Sequence, residues 1–204
     1  MTNIALIGAS GNVGSKILAE ALNRGHNVTG IVRNPEKLPP QAGLTAKRGD
    51  VSDAKGLAAL LAGHDAVISS LHFSASDPVL LLQAVRDSGV KRYLVVGGAG
   101  SLEVAPGKAL VDTPDFPAAY KEEASKGRDY LALLRGVTDL DWTFLSPSAI
   151  IAPGERTGKF RLGGDQLLVG ADGQSRISQE DYAIALIDEL EKPAYRQQRF
   201  TVGY

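Results

Sequence analysis

"GASGNVG" runs from Gly8 to Gly14, directly behind the apolar stretch "NIALI" at residues 3–7. Three glycines sit three residues apart. The chain then continues "NVGSKILAEALNRG" (12–25), with Val13, Ile17, Ala21 and Leu22 at helical spacing and Gly25 as the stop. A buried strand, a glycine turn and a helix, in that order, make a loop that can hold a phosphate. Glycine lets backbone approach a pyrophosphate and lets the helix pack on the strand. The helix start offers free N–H groups and a partial positive charge. The spacing is G-x-x-G-x-x-G rather than the commoner G-x-G-x-x-G, so the strand–turn–helix context carries the reading. The other reading of the same residues is a glycine-rich turn that binds nothing.

Outward from this loop, strand-like and helix-like runs alternate. Strands are expected at 3–8, 27–32, 44–50, 66–71, 92–98 and 141–145, with a short one at 167–169 and a last one at 199–203. Helices are expected at 12–25, from Ser52 or Asp53 to Ala62, at 78–88 behind the cap-and-proline pair Asp77-Pro78, at 118–135 ended by Gly136, and at 178–192. The strands are apolar without alternation, which predicts an α/β fold: a doubly wound, Rossmann-type parallel sheet with helices on both faces. We read residues 1–204 as one domain, with 1–150 as its core and 151–204 as a small substrate-side extension. In such sheets ligands bind beyond the carboxyl ends of the strands, so the loops after the first, second, fourth, fifth and sixth strands should converge. Residues 99–117, rich in glycine and proline, have no clear periodicity and read as a long loop.

Composition limits the function classes. The chain has 204 residues, 44% apolar and 22% charged, with a net charge of −1, so no global field recruits nucleic acid or anionic membrane. It has no cysteine, which removes disulfides, thiolate nucleophiles and Cys-type zinc sites and fits a reducing cytoplasm. No signal-peptide pattern opens it, and no apolar run approaches the roughly 20 residues of a membrane span. His26, His64 and His72 are scattered over different elements, so no metal ligand set is expected, and no G-x-S-x-G elbow occurs. A cytoplasmic protein is expected.

The second strand decides the cofactor. NAD-binding folds usually end it with an acid that holds the ribose 2′-OH. Here the segment reads "GIVRNPEK", with Arg33 and no acid at 30–34. A guanidinium can pair bidentately with a 2′-phosphate, which an acid would repel. NADP(H) is therefore favoured, with NAD(H) as the second choice; the other reading of Arg33 is a solvated surface arginine. Asp50, in "GDVSD", can accept from the adenine amino group or serve as a turn residue.

Taken together, "GASGNVG", Arg33, "GDVSD", "GGAGSL" (97–102) and "LDWTFLSPS" (140–148) resemble the atypical short-chain dehydrogenase/reductase superfamily. "PGERTGKFRLGGDQLL" (153–168), "SRISQEDYAIALIDELE" (175–191) and "RFTVGY" (199–204) resemble its small NADH-flavin-reductase-like members; biliverdin-reductase-B-like and NmrA-like proteins are more distant. The resemblance spans nearly the whole chain and is specific for fold and cofactor, less so for the reaction. It implies that Gly8, Ser10, Gly11, Asn12, Val13 and Gly14 line the pyrophosphate and Arg33 faces the adenosine ribose. It further implies that Asp50 and Val51 flank adenine, that Ser69, Ser70 and Leu71 pass beneath the nicotinamide ribose, and that Gly97, Pro147 and Ser148 complete the cofactor contacts.

Typical members of that superfamily use a tyrosine and a lysine four residues later. No Y-x-x-x-K occurs in this chain: Lys126 has Glu122 four before it, and Tyr120 lies six before it on a different face. The candidates that remain are Ser101, which follows the fifth strand at the family's serine position, His72 after the fourth strand, and Tyr120. Each has a plainer reading as a turn or surface residue. Arg156 and Arg161, in "ERTGKFR", could bind an anionic acceptor or form ordinary salt bridges. Asp181 reads as a helix-capping acid and Trp142 as core. The expected function is an NADPH-preferring oxidoreductase that passes hydride to a flavin- or quinone-like acceptor, which needs position more than a strong acid. The alternative is an NADP(H)-binding redox sensor of the NmrA-like type. An epimerase or dehydratase is the third reading, and about 50 residues after the sixth strand give little room for its sugar-nucleotide domain, on the scale of typical domains. For assembly, a homodimer is allowed for.

Overall fold

A computed structural model describes residues 1–204. Its elements, in chain order, are β1 (Asn3–Ile7), α1 (Asn12–Asn23), β2 (Asn27–Val32), β3 (Leu44–Arg48), α2 (Ala54–Leu61), β4 (Ala66–Ser69), α3 (Pro78–Asp87), β5 (Arg92–Val96), β6 (Glu103–Ala105), β7 (Lys108–Ala109), α4 (Ala118–Arg135), β8 (Asp141–Pro147), β9 (Ile150–Ala152), β10 (Arg161–Gly163), β11 (Arg176–Ser178), α5 (Gln179–Glu191) and β12 (Gln198–Gly203). One eight-stranded sheet runs β10-β12-β8-β5-β4-β1-β2-β3. All its pairings are parallel except that of the edge strand β10 on β12. This is the doubly wound, Rossmann-type order. The strand order reverses between β1 and β4, the place where such sheets bind ligands.

The two faces of the sheet are buried almost equally, which is why its strands are continuously apolar. Ile4, Leu6, Ile68, Leu94 and Leu145 point to α1 and α5, meeting Ile17, Leu186 and Ile187. Ala5, Ile7, Val67, Tyr93 and Phe144 point to α2, α3 and α4, meeting Leu57, Leu81 and Leu134. Trp142 belongs to this second core and its Nε1–H donates to the Val137 carbonyl at 3.0 Å. Side chains start three of the helices: Asp53 accepts from Gly56 N–H, Asp77 from Val79 N–H and Leu80 N–H, and Ser178 from Asp181 N–H.

Beyond residue 150 the chain rejoins the same sheet through β12, which pairs with β8, and α5 packs on α1. Two expectations need correcting. Residues 167–169 form no strand; Leu168 instead packs beside Gly163 and Gly203, and the added edge strand is β10. Residues 99–117 are not unstructured: they hold the β6–β7 hairpin and a 3-10 turn over Leu110–Asp112, with Leu102 and Val111 fully buried.

Candidate cofactor site

The glycine loop is a close-packed junction between three elements. Gly8 has φ +82°, a conformation glycine alone adopts without strain, and a Cβ there would overlap the Ser70 carbonyl oxygen. A Cβ on Gly14 would overlap the Gly8 carbonyl oxygen and come within 3.3 Å of Ser70 Oγ. The start of α1 is thus seated on the turn, and the turn on the chain leaving β4. Gly11 caps α1 with no side-chain hydrogen bond. The N–H groups of Asn12, Val13 and Gly14 find no acceptor in the protein, whereas a side chain takes at least one N–H at the starts of α2, α3 and α5. Free, convergent N–H donors at a helix start next to exposed Ser10, Gly11 and Asn12 suit a pyrophosphate. The cradle therefore fits a dinucleotide.

At the end of β2, Arg33 is exposed and lies within 4.0 Å of no carboxylate. A second guanidinium, which sequence reading passes over, stands beside it. The β2–β3 register sets Arg48 opposite Val32, and Arg48 Nε–H donates to the Arg33 carbonyl at 3.0 Å. Arg48 also lacks an acidic partner, whereas nine of the chain's other arginines have one. Asp50 takes the turn role: it accepts from Ser52 N–H at 2.9 Å and from Ser52 Oγ–H at 2.8 Å, and those bonds hold its carboxyl below the usual range. Val51, half-buried, packs against the second core.

Nearer the middle of the sheet, Ser69 Oγ is 2.9 Å from the Tyr93 hydroxyl, which is 2.7 Å from the Tyr130 hydroxyl, a buried chain beneath the β4 end. Burial pushes the Tyr93 phenol up to about 12 and the Tyr130 phenol well above its ordinary value, so both stay protonated. Leu71 joins the same core edge, and Gly97 leaves no room for a Cβ against Phe144 and the Leu145 carbonyl. Pro147 ends β8, and buried Ser148 donates from Oγ to the Val202 carbonyl at 2.9 Å.

The candidate catalytic and substrate side chains have these partners. Ser101 Oγ accepts from Arg199 Nη1 at 3.3 Å, and Arg199 is otherwise held by Asp165 and Ser146. Tyr120 is 67% exposed in the first turn of α4. Lys126, about half exposed, pairs with Glu122 at 2.9 Å and borders a cleft it shares with Phe73, Asp77 and Asp129. The α4 face turned inward carries Glu123, Gly127 and Tyr130 instead. His72, 84% exposed, has Nδ1 3.5 Å from Glu123 Oε1. Arg156 makes a bidentate pair with Glu20 at 2.8 Å, and Arg161 donates to the Val169 carbonyl at 2.8 Å and to that of Tyr204. Both guanidiniums thus serve as internal ties. Asp181 does not cap its own helix. It accepts from the N–H groups of Thr157 and Gly158, each at 2.8 Å, and from the Thr157 and Tyr204 hydroxyls, pinning the 153–158 strap. Burial pushes this carboxyl up, but the donors outweigh it and hold it below the usual range.

A family profile described as NAD(P)H-binding matches residues 8–193, and the chain belongs to that family. It is 42% identical to the uncharacterized protein YwnB of Bacillus subtilis, over 98% of this chain and 97% of that one. A crystal structure from Burkholderia pseudomallei, of a protein provisionally described as exported, is 50% identical over the full length of both chains, with a TM-score of 0.90. One from Streptococcus pneumoniae, provisionally an NADH-flavin reductase, is 36% identical over 100% of this chain and 99% of that one, with a TM-score of 0.85. The chain spans about half the length of the more distant curated relatives it matches. No helix is long and apolar enough to cross a membrane.

Proposed function

We propose that the protein is an oxidoreductase that binds NADPH in preference to NADH and delivers its hydride to a flavin- or quinone-like acceptor. The observation that carries the reading is the pairing of free N–H groups at the α1 start with two unpaired guanidiniums, Arg33 and Arg48, at the ends of β2 and β3. The first set suits the pyrophosphate and the second a 2′-phosphate. The similarity to the Streptococcus protein supports the flavin-like acceptor. The absence of a Y-x-x-x-K pair supports an acceptor whose reduction depends on position more than on a strong acid.

When bound, the nicotinamide supplies the hydride. The chain's own residues would hold and orient the cofactor: Gly8 to Gly14 at the diphosphate, Ser69 to Leu71 and Gly97 at the nicotinamide ribose, and Pro147 and Ser148 at the ring. A cytoplasmic location belongs to the same proposal, with the cysteine-free composition in its support.

The second reading, a redox sensor, draws on the pairing of Lys126 with Glu122 and the distance of Tyr120 from it in sequence. An acceptor screen of flavins, quinones and dyes with NADPH separates the two. Turnover supports the reductase; tight binding of both redox forms without turnover of any acceptor overturns it in favour of the sensor.

A further inference from the structure

Glu123 holds a segment next to the cofactor cradle. Its Oε1 accepts from Phe73 N–H at 2.7 Å and its Oε2 from Ser74 N–H at 2.8 Å, so it closes the 3-10 turn Phe73–Ala75 from outside. The same Oε1 lies 3.5 Å from Nδ1 of His72, the residue that opens the turn. The Phe73 ring stacks on Phe144 with centroids 6.1 Å apart, and a Cβ on Gly127 would come within 2.8 Å of it. At its other end the segment starts from Ser70, which is in contact with Gly8 and Gly14. His72 therefore stands between a fixed contact to the phosphate loop and a fixed contact to α4. Its ring is open to solvent.

We propose that His72 is the proton donor of this enzyme and that Glu123 is its positioning residue. The proposal rests on the oxidoreductase reading. A quinone or flavin that takes a hydride needs one proton to become the neutral reduced product. The Nε2–H bond of the His72 imidazolium breaks, its electron pair stays on the ring, and the proton forms a new bond to an acceptor oxygen or nitrogen. Nδ1–H stays turned to Glu123, which fixes the ring with Nε2 outward, and water reloads Nε2.

One charged group faces the imidazole, and three more line a cleft that the Phe73–Ala75 turn also lines. Glu123 of α4 is the carboxylate within 4.0 Å. Asp77, which caps α3, and Asp129 and Lys126 of α4 line the adjoining cleft of roughly 550 Å³. Burial pushes the Glu123 carboxyl up, but the Ser74 and Phe73 donors and nearby His72 outweigh it, so it stays ionised beside the ring.

NMR relaxation of the His72 ring in the full-length protein tests the pairing without catalysis. Glu123→Gln should loosen the ring, read as a lower order parameter for the His72 side chain, because the ring loses the carboxylate that faces Nδ1. Turnover of a quinone gives the second readout. The wild-type rate should fall as pH rises and the imidazolium is lost. His72→Asn should remove that limb and lower the rate by about tenfold to a hundredfold with NADPH affinity unchanged. An equally ordered His72 ring in a folded Glu123→Gln variant overturns the positioning role. A pH limb that survives in His72→Asn overturns the donor role, and does so even if Glu123→Gln fails to fold. If the wild type turns over no acceptor, the oxidoreductase reading fails and the donor role with it, while the relaxation measurement still reports the pairing.

Discussion

Arg48 donates from Nε to the carbonyl oxygen of Arg33 at 3.0 Å, joining the ends of β3 and β2 through the two residues whose guanidiniums lack acidic partners there. If both face a 2′-phosphate, each makes a contact that NADH cannot offer. Arg33→Ala and Arg48→Ala should each weaken NADPH by about 1.5–3 kcal/mol, roughly a tenfold to hundredfold rise in Kd, and leave NADH nearly unchanged. Calorimetric titration of both cofactors against each variant measures this. Equal losses for the two cofactors would remove the arginine concerned from the 2′-phosphate.

Gly14 should tolerate no side chain. A Cβ there meets backbone, the Gly8 carbonyl, which cannot swing aside as a flexible side-chain end could. Gly14→Ala should cost about 1–3 kcal/mol of stability as an overpacked site and should also displace the N–H donors. Thermal unfolding and NADPH titration on the same variant should both register the change.

Asp181 should be a stability residue rather than a catalytic one. It is fully buried and accepts four hydrogen bonds, so Asp181→Asn should lower stability by about 2–3 kcal/mol at neutral pH. The sign with pH follows from its depressed folded-state value. Its contribution is complete above the unfolded aspartate value of about 3.9 and is lost as pH falls through the lower folded value. Denaturant unfolding from neutral to acid pH should show wild type and variant converging at the acid end.

Lys126 gives the contrasting prediction. Where a lysine at this place in the helix serves the reaction, its removal is severe. Here its ammonium pairs with Glu122 at the surface. Lys126→Met should change kcat with a quinone by no more than about twofold, the range of an exposed substitution. A large loss would put Lys126 back in the machinery.

The parts of the fold written in local patterns were readable in the sequence. The buried strands β1, β2, β4, β5 and β8 are apolar runs, and Asp53 and Asp77-Pro78 mark helix starts by their own chemistry. Three-residue strands such as β9, β10 and β11 are too short to show a period, and apolar "LLV" at 167–169 plugs a gap beside two glycines instead of joining a ladder. The glycine loop and Arg33 could be seen because a motif and a position in the strand order point to them. Arg48 and Glu123 could not. Arg48 comes beside Arg33 through the β2–β3 register, and Glu123 reaches the Phe73 N–H through the face of α4 that turns inward, and both placements are fixed only when the elements pack.

The central claim is an NADP(H) site built from the glycine loop and the arginine pair. Titration of the wild-type protein with NADPH and NADH at one ionic strength tests it most directly. The account predicts that both bind and that NADPH binds at least about tenfold tighter, as one charged contact to the 2′-phosphate would give. Equal affinity for the two cofactors, or tighter binding of NADH, would contradict it.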